Sequence, residues 1–218
     1  RGERAGWLGE HVEPAGAAYL IGGEDNQSLL TGRHALLDPS CGSGCVPVAA
    51  TSPANFRAIL SRMESLPDVA KPKLLVVDPA RSFIEGSEDK SENISEFFGL
   101  LASFAERTGC AVVVVHHLAK NARPRNLEEL RSAIRGSGVF VDRPRVVIGL
   151  YLHRDATWVG VVKHNIPGHQ MHTEARPFLQ DPVTLRLIPK DGATPPPRQP
   201  GNSAAMPATD ADDGGDDL

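Results

Sequence analysis

Cysteine is scarce, with three residues in 218. An odd, small number argues against a disulfide scaffold and suits a reducing compartment, so a cytoplasmic location is expected. Aromatic residues make up only 5%, too few for a carbohydrate-binding face or a platform of several base-stacking rings. Long apolar runs are missing too. Stretches such as AVVVV at 111–115 fall far below the ~18 residues that cross a bilayer as a helix, so no membrane association is expected. The first residues are polar and broken by glycines, which gives no signal-peptide pattern. A strongly basic balance is also absent, since the net charge is −4. That excludes a histone-like mode in which positive charge alone is the function. It does not exclude nucleic acid, because the last nine residues, DADDGGDDL, hold five aspartates and leave the remainder at +1.

What is present reads as an α/β chain. Hydrophobic residues reach 40%, ample for a buried core. AAYLI at 17–21 is a short apolar strand that runs into Gly22-Gly23 and then Glu24-Asp25. A helix through Leu29, Leu30 and Leu37 follows, then the turn-rich DPSCGSGC at 38–45 and a short strand, VPVAA, at 46–50. Ser52 is a natural N-cap and Pro53 suits the first helical position, where no amide is lost. Phe56, Ile59, Leu60 and Met63 then form one helical face. KPKLLVVD at 71–78 is a buried strand ending in an acid, followed by the charge-rich loop RSFIEGSED. Asp89 with Glu92 predicts a capping box. The next helix carries Ile94, Phe97, Phe98, Leu101, Phe104 and Ala105 on one face and ends at Gly109. These phenylalanines read as core packing. CAVVVV at 110–115 is a second continuous apolar strand, which Cys110 begins as a core residue. Strand, helix, strand with continuous apolar runs predicts a parallel sheet covered on both faces.

Residues 117–136 form a polar segment with a net charge of +3, expected to be mobile. RVVIGLYL at 145–152 and TWVGVVKH at 157–164 predict an antiparallel pair around a turn at HRDA, and TLRLIP at 184–189 alternates like an edge strand. The boundaries expected are a loop over 1–16, a core over 17–190 and a disordered Pro, Ala and Asp-rich tail over 191–218.

Ligands of open parallel sheets bind beyond the carboxyl ends of the strands, and three polar clusters fall there. Asp78 ends a four-residue aliphatic run that follows a lysine, so a rigid buried strand would present its carboxylate to the water shell of a Mg²⁺ ion. Its plainer reading is a loop-entry aspartate. Glu24 is either a base that polarises an attacking water or a helix cap beside Asp25. His116-His117 is either a phosphate-sensing pair acting through a neutral imidazole or two loop histidines, one facing in and one out. His164, His169 and His172, and likewise Cys41 with Cys45, lack the partners of a zinc site.

EDN after AAYLI, then KLLVVD, VVVVHHLAK and RGSG at 135–138 before an apolar strand, resemble RepA-type hexameric replicative helicases. More loosely they resemble the RecA/DnaB-like P-loop ATPases of the AAA family. The resemblance covers roughly residues 12–165. It implies a RecA-like core: a mostly parallel sheet flanked by helices, with antiparallel strands toward the C-terminus. It implies ATP and Mg²⁺ as cofactors, single-stranded DNA as partner and a homo-oligomeric ring. By position, Glu24 matches the water-activating glutamate, Asp78 the Walker B aspartate, and His117, beside His116, the γ-phosphate sensor. Arg135 falls in the loop near the subunit boundary, and Lys163 matches the basic finger that reaches a neighbour. Asn165 stands where relatives carry the finger's arginine, which leaves Arg145 or Arg154 to supply one. Lys120, Arg123 and Arg125 fall in a segment that reads either as a DNA-facing loop, where contacts with phosphates would be salt-dependent, or as a solvated charged loop. The phosphate-wrapping motif G-x-x-x-x-G-K-[ST] does not occur in the sequence. On this reading the core is N-terminally truncated, lacks its first strand and helix, leaves a gap in the sheet, and binds ATP poorly. A RecA-type recombination ATPase and a non-catalytic module that assembles with an intact ATPase are the alternatives.

Overall fold

The computed structural model describes residues 16–38, 44–136, 138–166, 174–183 and 187–190. The predicted loop over 1–16 lies almost wholly outside the described residues, as do Cys41, His169, His172, the start of TLRLIP and the tail over 191–218.

Two four-stranded sheets organise the chain. The first has the order β2-β1-β3-β4, all parallel, from β1 (Ala18–Gly22), β2 (Cys45–Ala49), β3 (Leu74–Asp78) and β4 (Ala111–Val114). The second is antiparallel, in the order β5-β6-β7-β8. Its strands are β5 (Val146–His153), β6 (Ala156–His164), β7 (Arg176–Gln180) and β8 (Leu187–Pro189). The expected pair is therefore half of a larger sheet, and β7 had no alternating pattern long enough to announce it.

Tyr19, Ile21, Leu75, Val77, Val112 and Val114 share one face of the parallel sheet by register. They pack in a core with α2 (Pro53–Glu64) and α3 (Ser91–Thr108). Phe56 and Phe104 are fully buried there, and the Phe56 and Phe83 rings stack at 4.4 Å. Each such side chain contributes about 1.5–3 kcal/mol of burial. Ser52 caps α2 as expected, its hydroxyl accepting from the Asn55 amide at 3.1 Å. The capping box expected on α3 does not form. The N-cap is Lys90, without a side-chain bond, and Asp89 turns back to Ser87. Gly109 ends α3 in the left-handed region at φ 67°, as read.

The other face of the parallel sheet is not fully covered. Among the described residues α1 (Gln27–Leu37) packs there, with Leu30 lying over Gly22. Leu74 and Val113, which point to that face, are 36% and 48% exposed. Helices thus flank both faces as expected, the second less completely among the described residues. The outer edge of β4 pairs with none of the described strands. The outer edge of β2 is closed by a side chain instead. Gln27 donates to the Pro47 carbonyl and accepts from the Ala49 amide, both at 2.8 Å, as a neighbouring peptide would.

The segment 117–136 is more ordered than its polarity suggested. Leu118 bridges Ile134, Ala119 donates to the Ala133 carbonyl at 2.8 Å, and α4 (Leu127–Ser132) forms behind an Asn126 cap. Leu130 of α4 is 2% exposed and joins Tyr151, Trp158 and Ala175 in a second core. The apolar strand expected after RGSG is β5, and a helical turn comes before it. Val139–Asp142 is a short helix, α5, which puts Phe140 against Phe98 and His116.

Candidate functional site at the strand ends

The parallel register sets the site. Gly22 is level with Asp78, and Val77 with Val114, so the ends of β1, β3 and β4 form one rim. Main-chain bonds continue past the strands. Gly23 donates to the Asp78 carbonyl at 2.8 Å, and Ala80 to the Val115 carbonyl at 2.8 Å. Gly23 has no Cβ to collide with Ser82 and Phe83, so the 3-10 turn Ala80–Phe83 sits directly on the end of β1. Glu24, Asp78 and His117 therefore emerge side by side.

The rim is acidic, with one facing imidazole. His117 Nε2 lies 3.8 Å from Glu24 Oε1, and both side chains are mostly exposed. Asp25 pairs with Arg33. Asp78 is open to solvent as a residue, yet partial burial of its carboxylate raises its pKa. Loss of hydration is the largest cause. His117 opposes it, and the negative charges of Glu24 and Asp25 reinforce it.

The histidine pair divides into one in and one out. His116 stacks on Phe140 at 3.7 Å with the rings 10° apart, and its Nε2–H donates to the Arg135 carbonyl at 2.8 Å. That bond fixes the tautomer, leaving Nδ1 buried without a partner. Burial lowers the pKa of His116, and the Arg135 carbonyl opposes the shift, so the ring is neutral near pH ~7. His116 is a packed residue of the rim, and His117 is the one that faces solvent.

The basic residues divide as well. Arg135, about half exposed, pairs its guanidinium with the buried carboxylate of Glu88. Lys163 Nζ donates to the Asp142 carbonyl at 2.5 Å. Arg145 and Arg154 flank the two ends of β5, whose eight residues span about 26 Å at ~3.3 Å each. The β5–β6 register puts Val147 opposite Lys163, and Asn165 donates to the Arg145 carbonyl. Arg145 thus shares the Lys163 end, and Arg154 sits in the far turn. Lys120, Arg123 and Arg125 are exposed between the Leu118 bridge and α4. Sequence reasoning missed Glu88. It stood in RSFIEGSED as one acid among several, and no local spacing marks a carboxylate that is 4% exposed.

Among the described residues, no three His, Cys, Asp or Glu side chains are grouped to hold a metal ion. The donor set suits a hard cation that keeps most of its own waters and takes one carboxylate, which is the habit of Mg²⁺. No described helix is long and apolar enough to cross a membrane.

A family model described as an AAA domain matches residues 5–123. The match runs through β1 to β4 and both histidines, and so takes in the whole acidic rim. It brings with it the general expectation of nucleotide binding with a metal ion. With more than half of its length matched and a parallel sheet of the RecA-like kind beneath, the chain belongs to the AAA domain family.

Proposed function

We propose that this rim is the hydrolytic edge of an ATP-driven motor acting on DNA, of the helicase type. The observation that carries the reading is the convergence of Glu24, Asp78 and His117 at three adjacent strand ends, with Glu24 and His117 3.8 Å apart. An exposed carboxylate beside a strand-end aspartate suits the activation of a water for in-line attack on a phosphoryl group. Glu24 orients that water and takes up its proton. Asp78, already crowded by like charges, would hold Mg²⁺ through water, and that ion would neutralise charge on the phosphates. His117 is placed to donate to a phosphate oxygen.

The phosphate-wrapping loop does not occur in these 218 residues, so the groups present supply the activating half of a site. That same observation favours the second reading, a non-catalytic module that assembles with an intact ATPase. In the motor reading, single-stranded DNA meets Lys120, Arg123 and Arg125 through its phosphates. A ring of identical chains would bring Lys163 and Arg145 to a neighbour's nucleotide.

The test is ATP turnover, with and without single-stranded DNA, by this chain and by the product of the whole reading frame. Asp78→Asn and Glu24→Gln should each lower turnover by at least ~100-fold. A silent full-length product, unaltered by either substitution, would leave the module reading standing.

A further inference from the structure

Glu88 is a buried carboxylate that the hydrolytic reading does not use. It lies at the end of the loop after β3 and is 4% exposed. Arg135 Nε meets its Oε1, and Arg81 Nε lies 3.9 Å from its Oε2. The Arg135 contact is an ion pair without the alignment of a directed hydrogen bond, so Oε1 is held by charge. Both guanidiniums are about half exposed. A carboxylate taken out of water costs several kcal/mol unless it is paired, and an apolar residue there would avoid the cost. Its placement therefore calls for a use.

The use is visible in what Arg135 holds. Its carbonyl accepts the Nε2–H of His116, and the segment before it is zipped to the histidine loop by the Leu118 bridge and the Ala119 bond. Gly136 follows at φ 81°, and a Cβ there would lie 2.6 Å from the Glu88 carbonyl oxygen. The turn at 135–136 is thus pressed onto Glu88 by backbone as well as by charge. One buried group ties the loop after β3 to the loop after β4.

We propose that Glu88 is a positioning residue of the rim. It clamps Arg135, whose carbonyl fixes the His116 ring, and so places His117 opposite Glu24. The importance of that placing rests on the hydrolytic reading, whereas the clamp itself does not.

The test is the long-range ¹H–¹⁵N spectrum of the imidazole rings in the ¹⁵N-labelled full chain without nucleotide, assigned with His116→Gln and His117→Gln. In the parent chain His116 should show the widely separated nitrogen shifts of a single neutral tautomer. Glu88→Gln should collapse them toward an averaged pair and move the His117 signals. Leu60→Ala, which opens the first core at α2 and leaves Glu88, Arg135 and Gly136 in place, should leave both rings as they were. The clamp is overturned if Glu88→Gln keeps the separated pair, or if Leu60→Ala also averages it. If Glu88→Gln does not fold, Gly136→Ala decides. It pushes the turn off Glu88 with both charges present, and a retained separated pair would again refute the clamp. Averaged rings together with a silent full-length ATPase would uphold the clamp and reject the hydrolytic reading. Unchanged rings with active ATPase would do the reverse.

Discussion

At the scale of single residues, the rim is defined by an acid held against its preference. The pKa of Asp78 is raised, by loss of hydration first and by Glu24 and Asp25 after it. A carboxyl with a raised folded pKa contributes stability below its unfolded pKa and loses it as pH rises through the folded value. At neutral pH the ionised group therefore works against the fold. Asp78→Asn should raise the melting temperature near pH ~7 and leave it unchanged near pH ~3, where the parent carboxyl is protonated. A thermal scan at both pH values checks this, and equal shifts at both would refute it. Two glycines separate a conformational cost from a steric one. Gly109 and Gly136 both have positive φ, but a Cβ on Gly109 meets nothing within 4 Å, whereas on Gly136 it meets the Glu88 carbonyl at 2.6 Å. Gly109→Ala should cost about 1–2 kcal/mol, and Gly136→Ala clearly more. Urea denaturation of the pair measures the difference.

Among the elements, the two ends of the parallel sheet are handled differently. The edge of β2 is blocked by the Gln27 amide, which keeps it from pairing with another chain. Gln27→Ala removes two bonds to the backbone and should destabilise by about 1–2 kcal/mol. It should also promote concentration-dependent association, visible by light scattering. In the antiparallel sheet, Gly149 and Gly160 face each other across β5 and β6 and leave a depression. A Cβ on Gly160 would lie 2.8 Å from Leu127, and one on Gly149 would lie 2.6 Å from Leu130. The two glycines thus seat α4, and α4 carries the segment that ends at Arg135. Gly160→Val should overpack this seat and cost about 1–3 kcal/mol. Its melting temperature should fall while the far-ultraviolet circular dichroism keeps its shape.

For the molecule as a whole, two cores share one chain. Ile134 and Phe140 pack with the first, and Leu118 and Leu130 with the second, so residues 118–140 link them. Leu130→Ala should cost about 2–5 kcal/mol. Hydrogen exchange should speed up first in β5 and β6, while amides of β1 and β3 keep their protection. Uniform loss of protection across both sheets would refute the division. The histidine loop and the turn at 135–136 lie on the link between the two cores, so strain on either sheet bears on the rim.

By itself the sequence determined the parallel strands, the caps at Ser52 and Gly109, and the candidates Glu24, Asp78 and His117. These rest on local signals: a continuous apolar run, a residue fit for one backbone shape, an acid at the end of a buried strand. The tertiary structure alone decided what depends on partners far along the chain. It showed that the described helices cover one face of the parallel sheet more fully than the other, since coverage of a β-run is set by helices packed from elsewhere. It turned His116 inward, because the ring gains Phe140 and the Arg135 carbonyl, whereas His117 faces solvent, Glu24 and Asp78. It tied the half-exposed Arg135 to a buried partner, Glu88. An ion pair spanning 47 residues leaves no trace in spacing or periodicity. It is set by the packing of two loops, and only the folded chain brings those loops together.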